Sequence, residues 1–156
     1  MDFSKNSHVA AAFVKRSQVW YEGTDALAEG TALCFNIVRG TATAQDNTRS
    51  SHVIRPTSAT AKAFAGVAAR DYSAKAGGQF IEVNAPGSLG VKVLLASGNT
   101  VIGVTNIVFQ HGVGSGKFIA NAAVGKGAAL AVQTTTGATS CYANLDEGVQ
   151  SGGVAI

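Results

Sequence analysis

The sequence predicts an all-β protein: a small β-barrel or β-tulip of short antiparallel strands, with at most one short helix and an extended N-terminal arm. Three observations carry this. The apolar runs are short, 19 glycines are dispersed between them, and Phe64–Leu95 (FAGVAARDYSAKAGGQFIEVNAPGSLGVKVLL) packs three such runs into one stretch. Those runs, Phe64–Ala69, Phe80–Val83 and Val91–Leu95, are too short for helices and are rich in β-branched or aromatic residues. Lys75–Gly78 and Pro86–Gly90 separate them as turns, because Gly takes positive φ cheaply and Pro presets a turn. The expected product is an antiparallel meander, with the rest of the chain completing a barrel around it.

The other elements follow in order. Residues 1–21 are read as the arm and 22–156 as a single barrel domain. The arm is polar at first, then carries Val9, Phe13 and Val14, and ends on Lys15 and Arg16. Ser17–Gly23 (SQVWYEG) is a β-type run in which Trp20 and Tyr21 must face opposite sides. Gly30–Val38 is a strand. Gly40–Ser51 is a long polar loop containing Arg49, and His52–Arg55 is a short strand closed by Pro56. Thr57–Ala63 suits one or two helical turns behind a Thr or Ser cap. Thr100–Val104 with Asn106–Gln110, then Lys117–Ala120, Ala128–Thr134 and Cys141–Leu145, supply the late strands. Glu29–Asn36 (EGTALCFN) and Lys126–Gln133 (KGAALAVQ) echo each other, with a turn glycine feeding a half-buried strand each time.

At 156 residues the chain can bury a core without metal or disulfides. Only 13% of residues are charged, against about 25% in a typical domain. So sparsely ionised an exterior favours burial against copies of itself or another protein. Net charge +3 is mildly basic, but the Lys and Arg residues are scattered, so no direct nucleic-acid binding is expected. Cys34 and Cys141 are expected as buried thiols, although antiparallel pairing of their runs would also permit a bridge. No leader-like apolar segment opens the chain, and no apolar run is long enough for a membrane helix. Synthesis in a cytosol is expected.

The tests for chemistry are negative. HGVGSGK at His111–Lys117 lacks the glycine five places before Gly116 and the hydroxyl after Lys117 that a phosphate loop needs. His8, His52 and His111 are single and distant, so no metal and no other cofactor is expected. Asp146-Glu147 reads as a turn, and no nucleophile elbow is present. No enzyme is expected. What remains is adhesion through apolar, aromatic and Arg anchors. The candidates are Phe3, Phe13, Arg16, Trp20 and Tyr21 from the arm, with Arg49 from the polar loop.

Phe64–Ser73 (FAGVAARDYS), Gly77-Gly78, Ile81–Val83 and Gly87, with Glu29–Leu33 upstream, resemble the core of capsid decoration, or cement, proteins of tailed bacteriophages. The resemblance covers Gly23 to Leu95. It implies a β-barrel or β-tulip on the outer surface of an icosahedral head, bound to the major capsid protein as a homotrimer and stabilising the shell. It carries no catalytic residues. The competing reading is a carbohydrate- or receptor-binding β module of a virion, such as a head fibre or adhesin. Trp20, Tyr21, Tyr72 and Tyr142 would then be stacking platforms.

Overall fold

The computed structural model describes residues 13–40, 47–96, 106–109, 114–120 and 128–145. These form ten strands: β1 (Arg16–Tyr21), β2 (Ala32–Phe35), β3 (His52–Ile54), β4 (Phe64–Ala68), β5 (Gln79–Asn84), β6 (Val91–Leu94), β7 (Asn106–Phe109), β8 (Phe118–Ala120), β9 (Ala129–Ala131) and β10 (Ser140–Leu145). The all-β expectation holds. The helical content among the described residues is one 3₁₀ turn, Asn47–Ser50, in the polar loop. Thr57–Ala63 closes a single turn, with Ala61 N–H donating to the Thr57 carbonyl at 2.9 Å, and stops there. Thr57 and Thr60 cap one another through hydroxyl and backbone bonds, and Phe64 is then drawn into the core as the first residue of β4.

Strands β1 to β5 close into a barrel in the order β1-β3-β2-β4-β5. A ring of five strands cannot alternate direction all the way round, so one neighbouring pair must run parallel. That pair is β1 and β3, with Trp20 opposite His52 and Tyr21 opposite Val53. The expectation of antiparallel strands therefore fails at this one pair, for a reason of parity. The arm boundary also moves. Arg16–Tyr21 is a full barrel strand, paired with all of β5 from Arg16↔Asn84 to Tyr21↔Gln79. The last six residues assigned to the arm thus belong to the barrel wall.

The expected meander is only two strands long. β4 and β5 pair antiparallel, but β6 leaves the barrel and pairs with β10. It opens a second sheet of order β6-β10-β9-β7-β8, so the barrel does not extend over 22–156. The two outer strands of this sheet approach each other through a parallel bridge between Leu95 and Phe118, where Ala96 N–H donates to the Phe118 carbonyl at 2.9 Å.

Two cores result. Val19, Tyr21, Leu33, Val53, Ile81 and Val83 point into the barrel. Ala32 and Cys34 of β2 and Phe64 and Val67 of β4 point out of it, onto Val93, Leu95, Phe118, Ala129, Ala131, Cys141 and Ala143 of the second sheet and its flanks. Phe64 and Phe118 meet edge to face across this layer, with centroids 6.4 Å apart at 84°. Each is fully buried, which stabilises by roughly 1.5–3 kcal/mol per side chain.

Gly66 lets one strand serve both cores. The β2–β4 register runs Ala32↔Val67, Leu33↔Gly66 and Cys34↔Phe64, so one residue of β4 is extra. This bulge restores the alternation, with Ala65 and Ala68 inward and Phe64 and Val67 outward. Gly66 sits at φ +131, and a Cβ there would collide with the Asn84 carbonyl oxygen. The two layers are also tied through the backbone. Leu94 N–H donates to the Gly30 carbonyl at 3.1 Å, and Ala32 N–H to the Gly116 carbonyl at 2.8 Å. A Cβ on Gly116 would stand 2.8 Å from the Ala32 carbonyl oxygen, so this glycine permits the approach. The HGVGSGK stretch thus contributes a structural contact.

Candidate interaction surface

Alternation along β1 places Arg16, Gln18 and Trp20 on the outside of the barrel, opposite Val19 and Tyr21. On β5, Phe80 and Glu82 share the outer face, because Ile81 and Val83 fill the core. Trp20 lies directly between His52 on β3 and Phe80 on β5. The Trp20 and Phe80 rings meet edge to face at 4.8 Å and 83°, and the His52 ring is 6.4 Å from Trp20. Gly78 lies against the indole, where a Cβ would stand 3.0 Å from Nε1. Phe80 is 64% exposed, the most exposed large apolar side chain among the described residues. Arg16 and Glu82 form an exposed ion pair at 3.7 Å further along the same face. Such a pair contributes little to stability, but it borders the aromatic row with polar groups.

The sequence candidates fall in different places. Trp20 lies in this row and Arg16 on its border. Phe13 is also exposed, beside the exposed Leu89, whose N–H donates to the Phe13 carbonyl at 2.6 Å. Phe3 lies outside the described residues, as do His8, His111, Asp146 and Glu147.

Tyr21 is corrected: it is buried inside the barrel and offers nothing to a partner or as a stacking platform. Its hydroxyl donates to Asp25 Oδ1 at 2.7 Å. Burial first, and this bond second, push the Tyr21 hydroxyl up to about 12. The same bond is the main reason that the Asp25 carboxyl is held below its ordinary value, with Arg55, 2.9 Å away, acting in the same direction. Arg49 is occupied within the molecule. Its Nε donates to the Arg39 carbonyl, and Arg39 pairs with Glu22, which also accepts from Asn36 Nδ2 at 2.7 Å. These contacts fasten the polar loop to the end of β1.

Of the other aromatic candidates, Tyr142 is exposed. Tyr72 is half-buried, with Arg70 over its ring at 5.2 Å. Cys34 and Cys141 are both buried free thiols. Burial raises both, Cys141 to about 11, so neither is a ready nucleophile. Among the described residues no three His, Cys, Asp or Glu side chains gather in a way that could hold a metal ion.

The residues missed at the sequence level are Phe80 and His52. The signal for Phe80 was present, since it shares strand parity with Glu82 and opposes Ile81 and Val83. His52 depends on the parallel β1–β3 pairing, which no local pattern announces.

No protein-family model matches the sequence, and no curated protein matches it. Among solved structures the chain is similar to the N base of the head fiber gp8.5 of bacteriophage phi29. The identity is 10%, over 85% of this chain and 95% of that one, with a TM-score of 0.51. At that identity the likeness is one of fold.

Proposed function

We propose that this protein is a structural component of a bacteriophage virion: a decoration protein that seats on the outer surface of the head and braces it. It binds the major capsid protein as a homotrimer, with the His52–Trp20–Phe80 row, bordered by Arg16 and Glu82, as its docking face. The observation that carries the reading is the likeness of fold, over nearly the full length of the neighbour, to the base of a phage head fibre. The outward-facing aromatic row, half-buried at Trp20 and His52 and exposed at Phe80, supports it, because aromatic anchors within a polar border are what concentrate binding energy in protein interfaces. A trimer gains further, since attachment of one copy makes attachment of the others intramolecular.

A second reading follows from the neighbour's description: the chain is the base of a head fibre, attached in the same way but carrying a distal element. Both readings require saturable attachment to assembled heads. Co-sedimentation with heads of the cognate phage, with and without Phe80→Asp, tests the shared claim. Cryo-electron microscopy of the decorated heads then separates a low cap from a projecting fibre. Failure of the wild-type chain to sediment with heads refutes both.

A further inference from the structure

An open cleft of about 700 Å³ lies between the barrel loops and the second sheet, on residues 26–28 and 71–73, Ser115 and Lys117, with Thr31, Arg55 and Leu94. This volume lies within the range of small-molecule sites. Its walls are fixed in advance. Leu27 and Tyr72 exchange backbone bonds at 2.9 and 2.8 Å, and Asp71 Oδ1 accepts from Glu29 N–H at 2.7 Å. The Tyr72 hydroxyl is locked to Glu82 N–H at 2.7 Å. Arg55 spans the two layers, donating to the Ala26 carbonyl at 3.0 Å and the Gly114 carbonyl at 3.4 Å while paired with Asp25. The guanidinium is therefore largely committed to protein partners.

What the cleft leaves for a ligand is a mixed set. Leu94 and the half-buried Tyr72 ring, which carries Arg70 over one face, are apolar, while Leu27 is almost wholly buried. Asp71 Oδ2, the Ser73 hydroxyl and the Lys117 ammonium have no partner among the described residues. The lining brings one uncommitted carboxylate and one uncommitted ammonium, so there is no surplus charge to attract a phosphate. A purely apolar ligand would make no use of these polar groups. A pyranose ring meets both requirements, presenting C–H faces to the apolar wall and paired hydroxyls that both donate and accept.

We infer that this cleft binds one sugar ring of a surface glycan, with Asp71 accepting and Lys117 donating to its hydroxyls against the Tyr72 wall. The inference is independent of the docking face on β1, β3 and β5.

Saturation-transfer NMR on the full chain, with the methyl glycosides of glucose, galactose and N-acetylglucosamine at millimolar concentration, tests it. Transfer to the ring protons of at least one sugar is expected. Asp71→Asn keeps an oxygen for Glu29 N–H and should weaken that sugar by about tenfold or more, the scale of one charge-assisted hydrogen bond. Lys117→Met, at an exposed position, should weaken it too. Phe80→Asp should leave the sugar signal intact while abolishing attachment to heads, so the two proposals fail separately. Absence of transfer from all three sugars, or transfer unchanged in both cleft variants, overturns the assignment.

Discussion

Inside the barrel the walls meet through large side chains, Tyr21, Leu27, Leu33 and Ile81. Behind it, half of the residues between barrel wall and second sheet are small, Ala32, Cys34, Ala128, Ala129, Ala131, Cys141 and Ala143, set among Phe64, Phe118, Leu95, Leu145 and three valines. The internal echo of the sequence acquires a physical meaning here. Ala32 and Cys34 in one copy, and Ala129 and Ala131 in the other, belong to this shared layer. Alternate small residues of β2 and β9 thus enter one buried layer, where close packing leaves little tolerance for added volume. The barrel core is organised by filling and the layer behind it by closeness.

The largest effect is expected at the residue that joins the two. Gly66→Ala forces a Cβ onto the Asn84 carbonyl and disturbs the bulge that sorts Ala65 from Val67. Urea denaturation should show a loss of more than about 3 kcal/mol, or no folded protein at all. A wild-type-like midpoint would show that the bulge is dispensable.

The two cores should then respond in opposite ways to size. Leu33→Ala empties the barrel and should cost about 2–5 kcal/mol. Ala131→Leu overfills the layer and should cost about 1–3 kcal/mol. Leu130→Ala, on the half-buried side of the same strand, should cost less than either. Tolerance of Ala131→Leu, measured by denaturation, would remove the distinction between filling and closeness.

How far the sequence revealed this follows from the same residues. Strand alternation is local, so β1, β2, β5 and β10 are legible, as are the opposed faces of Trp20 and Tyr21. Which of those two points inward depends on partners far away in sequence. Tyr21 turns in, filling the barrel core with its ring while its hydroxyl reaches Asp25 just beyond the strand. The departure of β6 from the meander was hidden for a similar reason. Pro86–Gly90 reads equally well as a hairpin turn or as a crossover, and only the pairing with β10 decides. The aromatic row was half legible, since Phe80 shows its parity but His52 reaches Trp20 through the parallel pair that an odd ring requires.

A smaller effect is expected from Tyr21→Phe, about 1 kcal/mol, from loss of one hydrogen bond. The folded protein holds this hydroxyl at about 12 against an ordinary 10, so its contribution is complete below pH 10 and lost as pH rises toward 12. Absorbance titration should show Tyr21 ionising well above pH 10. In Tyr21→Phe the Asp25 carboxyl should move up toward its ordinary range by NMR, because that bond is the main cause of its depression. Ionisation of Tyr21 at pH 10 would contradict the buried pair.

A similarly small stability change, about 1 kcal/mol, is expected for Phe80→Asp, which gives up the edge contact with Trp20 on an otherwise exposed face. That makes it the cleanest probe of function, and Trp20, the only tryptophan, reports from the same spot. The decisive measurement is titration of heads of the cognate phage into the purified chain, following Trp20 fluorescence and co-sedimentation together. Seating on the head through this face predicts saturable binding, a blue-shifted Trp20 emission, and loss of both in Phe80→Asp. Binding that leaves Trp20 unchanged and survives Phe80→Asp would contradict it, as would no binding at all.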